Sequence, residues 1–483
     1  MNVKRNTSVI FIVSAVFALA AGCTERHYER SPSINQYMPP SVPVSLEGAA
    51  EKPEQANTAA ADKDLTLDAC IRIAQAQNPL LQASREGLAA ANYAVQGAKS
   101  GYYPHVNLAA DYRRFQSHAF LPGGLGGAAG PQTSVIGPTN DYSGGLSAQW
   151  LLFDSGRRRA QLASAKANAN ASKYELETVE QDITLMVQQA YYSLLSAYEA
   201  LKIARENQTR AQDHLSLAQQ RKDVGVAVEA DVLRMRVEVA ERRLSVVRAE
   251  NLVRIGKGNL NTAMGLPPEL ELEIVDALPR IIPPETVDLN ESFKSAMMQR
   301  SELKAALHRI TGSQSDVAAA KSDFGPVLRA IGSYGLRDSE FWPHDKDWSA
   351  GIGVELPLFT GFERSSQLNR LRRELAREEA LIRRLIITIR QEIWTSYSHF
   401  TEAFEEMKAS QTLVKDARES MRLARERYQV GKSTATDLLD SQTALSRAES
   451  VLVEAQWNYH IAKAAFERSK GFAYNSDSAA AGD

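Results

Sequence analysis

Apolar and polar residues alternate along the chain with two periods, and the longer period predicts very long helices. Between Phe362 and Tyr428, apolar residues recur at spacings of three, four or seven, with Arg, Glu, Lys and Gln between them. This is a narrow apolar seam of the coiled-coil type. The segment holds 67 residues, and at about 1.5 Å per residue such a helix is roughly 100 Å long. A globular core does not use a helix of this length, whereas the wall of a tube does.

The shorter period, two residues, predicts four β-strands. Their expected limits are about 104–115, 141–153, 326–337 and 347–359. Aromatic residues stand along them at Tyr112, Tyr142, Trp150, Tyr334 and Trp348. The pattern fits membrane-barrel strands with a polar lumen, and it also fits a soluble antiparallel sheet with one wet face. Four strands cannot close a barrel and lipid does not tolerate an open sheet edge, so strands that cross a membrane here must share a barrel with other copies.

The chain contains an internal duplication. Leu152-Phe153-Asp154-Ser155-Gly156 recurs as Leu358-Phe359-Thr360-Gly361. Later residues recur 206 positions further on, in the pairs Gly225 and Gly431, Asp231 and Asp437, Leu233 and Leu439, and Gly265 and Gly471. Earlier residues recur 222 positions further on, in the pairs Leu67 and Leu289, Leu81 and Leu303, and Pro104 and Pro326. The difference of 16 residues falls in the Gly- and Pro-rich stretch Phe120–Asn140, which predicts a longer surface loop in the first repeat only.

Each repeat therefore has the same plan: a short helical segment, two strands and two long helices. The predicted parts are repeat 1 at 65–270, an inter-repeat linker at 271–286, repeat 2 at 287–475 and a flexible tail at 476–483. The long helices are expected at about 157–222, 229–264, 361–428 and 434–471. The predicted fold class is mostly α with membrane β, a duplicated unit of long coiled-coil helices with two β-strands per repeat.

The N-terminus has the features of a lipoprotein signal peptide. Lys4 and Arg5 precede an apolar run at 9–21, which is too short to span a bilayer but suits a signal-peptide core. The run ends in Leu19-Ala20-Ala21-Gly22-Cys23, which resembles a bacterial lipobox. The sequence thus predicts removal of 1–22, acylation of Cys23 and an extended, lipid-anchored linker at 23–64 that is rich in Pro, Ser, Ala and Glu. The alternative is an ordinary secretory signal with an incidental cysteine.

Charge, cysteine usage and histidine spacing exclude several classes of function. The net charge of −2 gives no basic face for nucleic acid. Cys70 remains as a single thiol in a helix-like apolar segment, so it is predicted to be a buried small hydrophobe without a disulfide. The eight histidines are scattered, and no phosphate loop or nucleophile constellation is visible. We therefore expect no enzyme activity, no cofactor and no metal site.

Arg157, Arg158 and Arg159 follow Gly156 directly, where strand becomes helix, and Arg364 aligns with Arg158. Cations at a helix N-terminus oppose its dipole. Two interpretations remain open: contact with lipid headgroups, or a solvated helix start.

A duplicated motif carries a resemblance to a known family. Arg427-Tyr428-Gln429-Val430-Gly431 is followed by Thr436-Asp437-Leu438-Leu439-Asp440. Its counterpart is Arg221-Lys222-Asp223-Val224-Gly225, followed by Ala230-Asp231-Val232-Leu233. With the duplication and the helix lengths, the chain from about Leu65 to Gly471 resembles the TolC outer-membrane efflux family.

The resemblance implies a homotrimer in the outer membrane of a Gram-negative bacterium. Twelve strands would form one β-barrel, and twelve long helices would form a periplasmic α-barrel. A periplasmic adaptor protein and an inner-membrane pump are the implied partners, besides the lipid attached to Cys23. Gly225 and Gly431 would lie in the turns at the periplasmic tip, where the adaptor docks. The plainer alternative is that both glycines only form turns.

The resemblance also implies roles for four further residues. Asp437 and Asp440 match positions that place acidic rings in the closed periplasmic mouth, although Thr434-x-x-Asp437 also fits a capping box. Asp231 and Tyr428 match positions that link neighbouring helices in the closed state. Some family members have a basic residue where this chain has Ser433, and Arg234 or Lys432 is a possible substitute.

These expectations favour a passive exit duct for efflux or secretion. Two alternatives remain open: a structural coiled-coil lipoprotein that scaffolds an envelope complex, and an adhesin that uses the loop at 120–140. Drugs, metal ions, proteins and glycolipids are all possible substrates, because the expected lumen is lined by generic polar residues.

Overall fold

This computed structural model describes residues 65–121, 132–275, 281–284 and 287–472. The predicted signal peptide 1–22, the acylated Cys23, the linker 23–64 and the tail 476–483 lie outside these residues, as does part of the inter-repeat linker. Repeat 1 contains, in chain order, α1 (Leu67–Gln77), α2 (Pro79–Ser100), β1 (His105–Leu121), β2 (Gln132–Phe153), α3 (Arg157–Asp223) and α4 (Glu229–Met264). Repeat 2 contains α5 (Leu289–Gln299), α6 (Ser301–Ser322), β3 (Val327–Asp338), β4 (Asp345–Glu355), α7 (Glu363–Gln429) and α8 (Ala435–Ser469).

Two helices, not one short helical segment, precede the strands of each repeat. Asn78 separates α1 from α2: it has an extended backbone, and its side-chain oxygen accepts a hydrogen bond from the Leu80 N–H at 2.9 Å. Pro79 occupies the first turn of α2, where its missing N–H has no cost. Leu81 is the only buried residue of α2. The second helix therefore buries little of its own surface.

The four strands form one antiparallel sheet in the order β1-β2-β3-β4. The register places apolar or small residues of all four strands on one face, for example Leu108 opposite Leu146 and Tyr334 opposite Trp348. The other face carries polar side chains such as Ser333, whose hydroxyl hydrogen-bonds that of Ser349 at 2.9 Å. No described part of the chain covers the apolar face, on which Trp348 is 68% and Ile352 71% exposed.

The first hairpin is longer than the sequence predicted. β1 continues to Leu121 and β2 starts at Gln132, so most of the expected loop at 120–140 is strand, and residues 122–131 lie outside the described part. Phe115 pairs with Thr139 and Ser117 with Ile136, which puts Gly137 and Pro138 in a β-bulge. A bulge tolerates proline inside a strand, so the Gly-Pro signal marks an irregularity in pairing and not the start of a loop.

The long helices form two hairpins, α3 with α4 and α7 with α8, which meet where α3 packs against α8. The largest buried cluster surrounds Leu194, Leu260 and Met264 in repeat 1, and a second surrounds Phe400 and Tyr459 in repeat 2. A third cluster joins both hairpins near their tips. Among the described residues, α4 and α7 have no comparable packing against each other.

Within the described ranges, none of the helices combines the length and the apolar composition required to cross a membrane. Cys70 is fully buried in the repeat 1 cluster, and burial raises the pKa of its thiol to about 12. The prediction that Cys70 is a buried small hydrophobe is therefore confirmed.

Arg158 differs from its neighbours Arg157 and Arg159, which are exposed as the interpretation of a solvated helix start expects. Its guanidinium donates to the carbonyl oxygens of Gly101 (3.1 Å), Leu151 (2.6 Å) and Leu152 (3.1 Å). Asp154 accepts both the Arg158 Nε (3.0 Å) and the Arg158 backbone N–H (2.8 Å). The carboxylate thus offsets the unfavourable position of the cation at the start of α3. Arg158 is neither solvated nor free for lipid, since its side chain is only 12% exposed.

Candidate functional site at the helical tips

The turns at the ends of the two long hairpins have the same construction. Gly225 has φ +78° and Gly431 has φ +76°. In the first turn the Val226 N–H donates to the Arg221 carbonyl at 2.9 Å, and in the second the Lys432 N–H donates to the Arg427 carbonyl at 2.8 Å. These bonds end each long helix in a Schellman-type turn, which favours glycine because the backbone is left-handed.

Steric crowding does not explain why glycine occupies these two positions. A Cβ at Gly225 would meet nothing within 4 Å, and one at Gly431 would meet only the Arg221 guanidinium at 3.6 Å. The turns also expose four apolar side chains that sequence reasoning did not single out, at Val224, Val226, Val228 and Val430, each 62–73% exposed. In the sequence these valines form an apolar cluster around a turn glycine. Such a cluster looks like part of a buried core until the structure shows that the turn is exposed.

Tyr428 is buried where the two hairpins meet, at 3% exposure. It belongs to the tip cluster, which contains Val232 and Met235 of α4 and Leu438 and Leu445 of α8. Its hydroxyl is buried and has no hydrogen-bond partner among the described residues. Burial raises the pKa of Tyr428, while the nearby Arg221 cation lowers it and the Asp231 charge raises it.

Arg221 joins the two repeats at this point. Its guanidinium lies over the Tyr428 ring, 4.6 Å from the ring centroid, and donates to the carbonyl oxygens of Tyr428 and Gln429, the latter at 3.1 Å. These carbonyls end α7 and carry partial negative charge, so a cation is favourable there. Sequence reasoning quoted Arg221 only as a motif residue, because its partners are more than 200 positions away.

Asp231 has a partner on its own helix. Its carboxylate pairs with Arg234 at 3.3 Å, one turn further along α4. Within the described residues no hydrogen bond joins Asp231 to Tyr428, although the Asp231 charge acts on the tyrosine. The structure thus brings Asp231 near enough to Tyr428 for its charge to act on the phenol, and the link that the family resemblance implies between neighbouring helices stays a prediction.

Asp437 and Asp440 lie on α8 in different surroundings. The capping-box interpretation of Asp437 is confirmed: the Thr434 N–H donates to its carboxylate at 2.9 Å, and the Asp437 N–H donates to the Thr434 hydroxyl at 3.2 Å. The Thr434 backbone hydrogen bond lowers the pKa of Asp437. Asp440 lies one turn later, is exposed, and has no hydrogen bond or ion pair in the part of the chain described.

A buried polar cluster between α3 and α8 was not predicted. The Asn207 side-chain oxygen accepts from Gln442 (2.9 Å), Ser446 (2.8 Å) and Arg210 (2.7 Å). Arg210 also pairs with Glu449 at 2.5 Å. We call these five residues the inter-repeat polar cluster. It has little sequence signal, because hydrogen-bonded members lie 235 and 239 positions apart and each is an ordinary surface residue type.

Among the described residues, no group of three or more His, Cys, Asp or Glu side chains is arranged to hold a metal ion. The tips instead offer exposed apolar turns, an exposed unpaired carboxylate and a cation between the repeats. This arrangement suits contacts with other protein chains and charge-dependent conduction.

Comparison with known proteins gives a consistent result. The model of the family described as "Outer membrane efflux protein" matches residues 70–266 and 293–471. Protein CyaE of Bordetella pertussis is 27% identical over 402 residues, which cover 81% of each chain. Outer membrane protein TolC of Escherichia coli K12 is 23% identical over 403 residues, covering 80% of this chain and 78% of TolC. The solved structure of the outer-membrane channel OprN has the same fold, with a TM-score of 0.71 at 22% identity over 84% of this chain and 89% of that one.

Proposed function

The chain belongs to the outer membrane efflux protein family, and we propose that it works as a homotrimeric, passive exit duct in the outer membrane of a Gram-negative bacterium. A periplasmic adaptor and an inner-membrane pump deliver the substrate and supply the energy. The duct itself carries out no chemistry.

The four-stranded sheet is the observation that carries this proposal. One face is apolar along all four strands, and β1 and β4 are edges that no other described strand of the chain pairs with. Lipid accepts the apolar face but does not accept the open edges. Three copies joined from β4 to β1 give a closed barrel of twelve strands, with the polar face towards the lumen.

The long helices support the periplasmic part of the duct. α3 and α7 each contain 67 residues, so each extends roughly 100 Å at 1.5 Å per residue. Together with the shorter α4 and α8, these helices make only a segment of a tube wall in one chain. Three copies supply the twelve helices of a tube.

The gate proposal concerns Asp437 and Asp440. In a trimer the exposed, unpaired Asp440 would form a ring of three carboxylates, and Asp437 would form a second ring one turn away while still capping α8. Such rings attract cations and narrow the mouth electrostatically. Asp231 and Tyr428, with Arg221 at their side, would hold the hairpins together in the closed state.

Adaptor docking is proposed for the turns at Gly225 and Gly431. The exposed valines of these turns give an apolar contact surface at the end of the hairpins. Attachment to the membrane is proposed through Cys23: cleavage after residue 22, thioether linkage of the Cys23 sulfur to diacylglycerol, amide linkage of palmitate to the amino group that cleavage frees, and the extended segment 23–64 as tether.

Site-directed thiol labelling in outer-membrane vesicles tests the duct. We expect Ile352→Cys, on the apolar face, to react with a lipid-soluble maleimide and to resist a charged, water-soluble thiol reagent. Ser333→Cys, on the polar face, is expected to show the opposite preference. Cys70 is buried and gives little background. Equal reaction of both positions with the water-soluble reagent would place the sheet outside the membrane and favour the scaffold alternative.

A further inference from the structure

The duplication relates an exposed pair of helix faces to a buried pair. α3 and α7 have the same length, and they begin and end 206 positions apart; α4 and α8 begin 206 positions apart as well. Inside the chain α3 packs against α8. The counterpart of α3 is α7, and the counterpart of α8 is α4. The equivalent contact would therefore join α7 to α4, and the described residues of one chain do not form it. A second copy of the chain can supply it.

Residues of α8 that are buried against α3 have exposed counterparts on α4, as expected if the α4 face lacks its partner. On α8, Val453 is 7% exposed in the repeat 1 cluster, whereas its counterpart Val247 on α4 is 57% exposed. Ile461 is partly buried against the same cluster, whereas its counterpart Ile255 is 49% exposed. Identical residue types at equivalent positions favour the same environment, so the α4 face is an interface that lacks its partner.

The equivalent positions on α7 and α4 also carry opposite charges, but the basic and acidic residues have changed places. Arg210 of α3 pairs with Glu449 of α8 inside the chain. Their counterparts 206 positions away are Asp416 on α7 and Arg243 on α4. Both are exposed, and neither has an ion pair among the described residues. A basic–acidic pair has thus become an acidic–basic pair, which is again attractive.

Two of the other three residues of the inter-repeat polar cluster have apolar counterparts, whereas Gln442 corresponds to Arg236 on α4. Asn207, 4% exposed, corresponds to Leu413, which is 50% exposed on α7. Ser446, which donates to Asn207, corresponds to Ala240 on α4. The hydrogen-bonded pair is therefore replaced by a leucine opposite an alanine. A leucine over an alanine leaves no buried polar side chain at these two positions, which suits a surface that meets its partner only after the chain has folded.

We propose that α4 of one copy packs against α7 of the next, with Arg243 paired to Asp416 of the next copy and Ala240 covered by Leu413 of the next copy. This inference rests on the trimeric duct proposed above and identifies the residues that join its helical walls. The same interface repeats three times around the trimer.

Charge reversal tests the ion pair. Arg243→Glu and Asp416→Arg each place like charges opposite each other, so each is expected to lower by several degrees the temperature at which the detergent-solubilised trimer dissociates to monomer on a mild SDS gel. The double variant restores attraction and is expected to recover most of that loss. Arg248→Glu is the matched control, since it makes the same charge change on α4 at a residue whose counterpart Glu454 has no ion pair among the described residues.

Disulfide formation gives a second, independent readout. Ala240→Cys with Leu413→Cys in one chain is expected to produce covalent dimers and trimers on oxidation. The equivalent pair Ser446→Cys with Asn207→Cys lies within one chain and is expected to cross-link without a change in mass. Two results would overturn this interface and leave the duct intact, provided that the wild type forms trimers. In the first, the single and double charge variants dissociate at the same temperature. In the second, cysteines at 240 and 413 do not cross-link neighbouring copies. Failure of the wild type to form trimers would instead contradict the duct itself.

Discussion

Single side chains connect parts of this chain that are far apart in sequence. Arg221 joins the two hairpin tips through the Tyr428 ring and two carbonyl oxygens at the end of α7. Asp437 was predicted with two alternatives, and the local one, the capping box, could be read from Thr434 three positions earlier. The role of Arg221 could not, because an arginine in a motif does not reveal which carbonyl of another repeat it reaches.

A buried histidine predicts how stability depends on pH. His460 is 5% exposed and packs beside Tyr192, Trp457 and Tyr459. Burial, with a smaller effect of Lys463, lowers its pKa to about 4. The unfolded chain binds this proton at a pKa of about 6.5, so the neutral histidine contributes stability above pH 6.5 that is lost as the pH falls from about 6.5 to about 4.

Replacement of this histidine should flatten that profile. A shift of this size corresponds to about 3 kcal/mol per copy. We expect His460→Phe, which keeps an aromatic ring and cannot be protonated, to lose less stability than wild type between pH 7 and pH 4.5 in thermal unfolding. His399→Phe, at an exposed site, serves as control and should follow the wild-type profile. Parallel profiles for His460→Phe and wild type would mean that folding does not lower the pKa of His460.

Helix periodicity predicts elements only where the buried face is large and apolar. The four long helices have such faces, and the fold class derived from them is confirmed. α6 does not: its buried residues include Ser301, Ala305, Gly312 and Ala320. A Cβ at Gly312 would lie 2.8 Å from the Asn168 side chain, so α6 packs on α3 through small residues. Close packing of small side chains has no hydrophobic period, which is why these helices were predicted as one short segment.

The tip turns require glycine because of the left-handed backbone, not because a side chain would clash. This predicts the effect of replacing the glycine with alanine. Gly431→Ala forces a left-handed alanine at φ +76° and should cost about 1–2 kcal/mol locally. Hydrogen exchange of the amides at 428–434 should become faster. Gly87→Ala is the control: Gly87 lies inside α2 with open space around it, so alanine there should stabilise by up to about 1 kcal/mol. Equal exchange in wild type and Gly431→Ala would show that the left-handed turn is not maintained in solution.

At the scale of the whole molecule, the chain is an incomplete wall. Within the described ranges, the sheet has two open edges, its apolar face is uncovered, and α4 and α7 carry exposed faces whose counterparts are buried. The sequence predicted that several copies must share a barrel, because that follows from counting strands. It could not predict which helix faces meet, because the relevant comparison is between the burial of equivalent residues, and burial exists only in the folded chain.

Single-channel conductance in planar bilayers tests the central claim most directly. The purified trimer is compared with Asp440→Asn, which removes the unpaired carboxylate, and with Asp437→Gln, which removes the charge while glutamine at this position keeps the capping box. We expect the wild type to show a small conductance that is closed most of the time. Both variants are expected to open more often, with weaker preference for cations.

The alternatives give different records. A wild-type conductance that neither variant changes would keep the duct and contradict the acidic gate, leaving Asp437 as a helix cap alone. A purified trimer that inserts no conducting unit at all would contradict the exit duct.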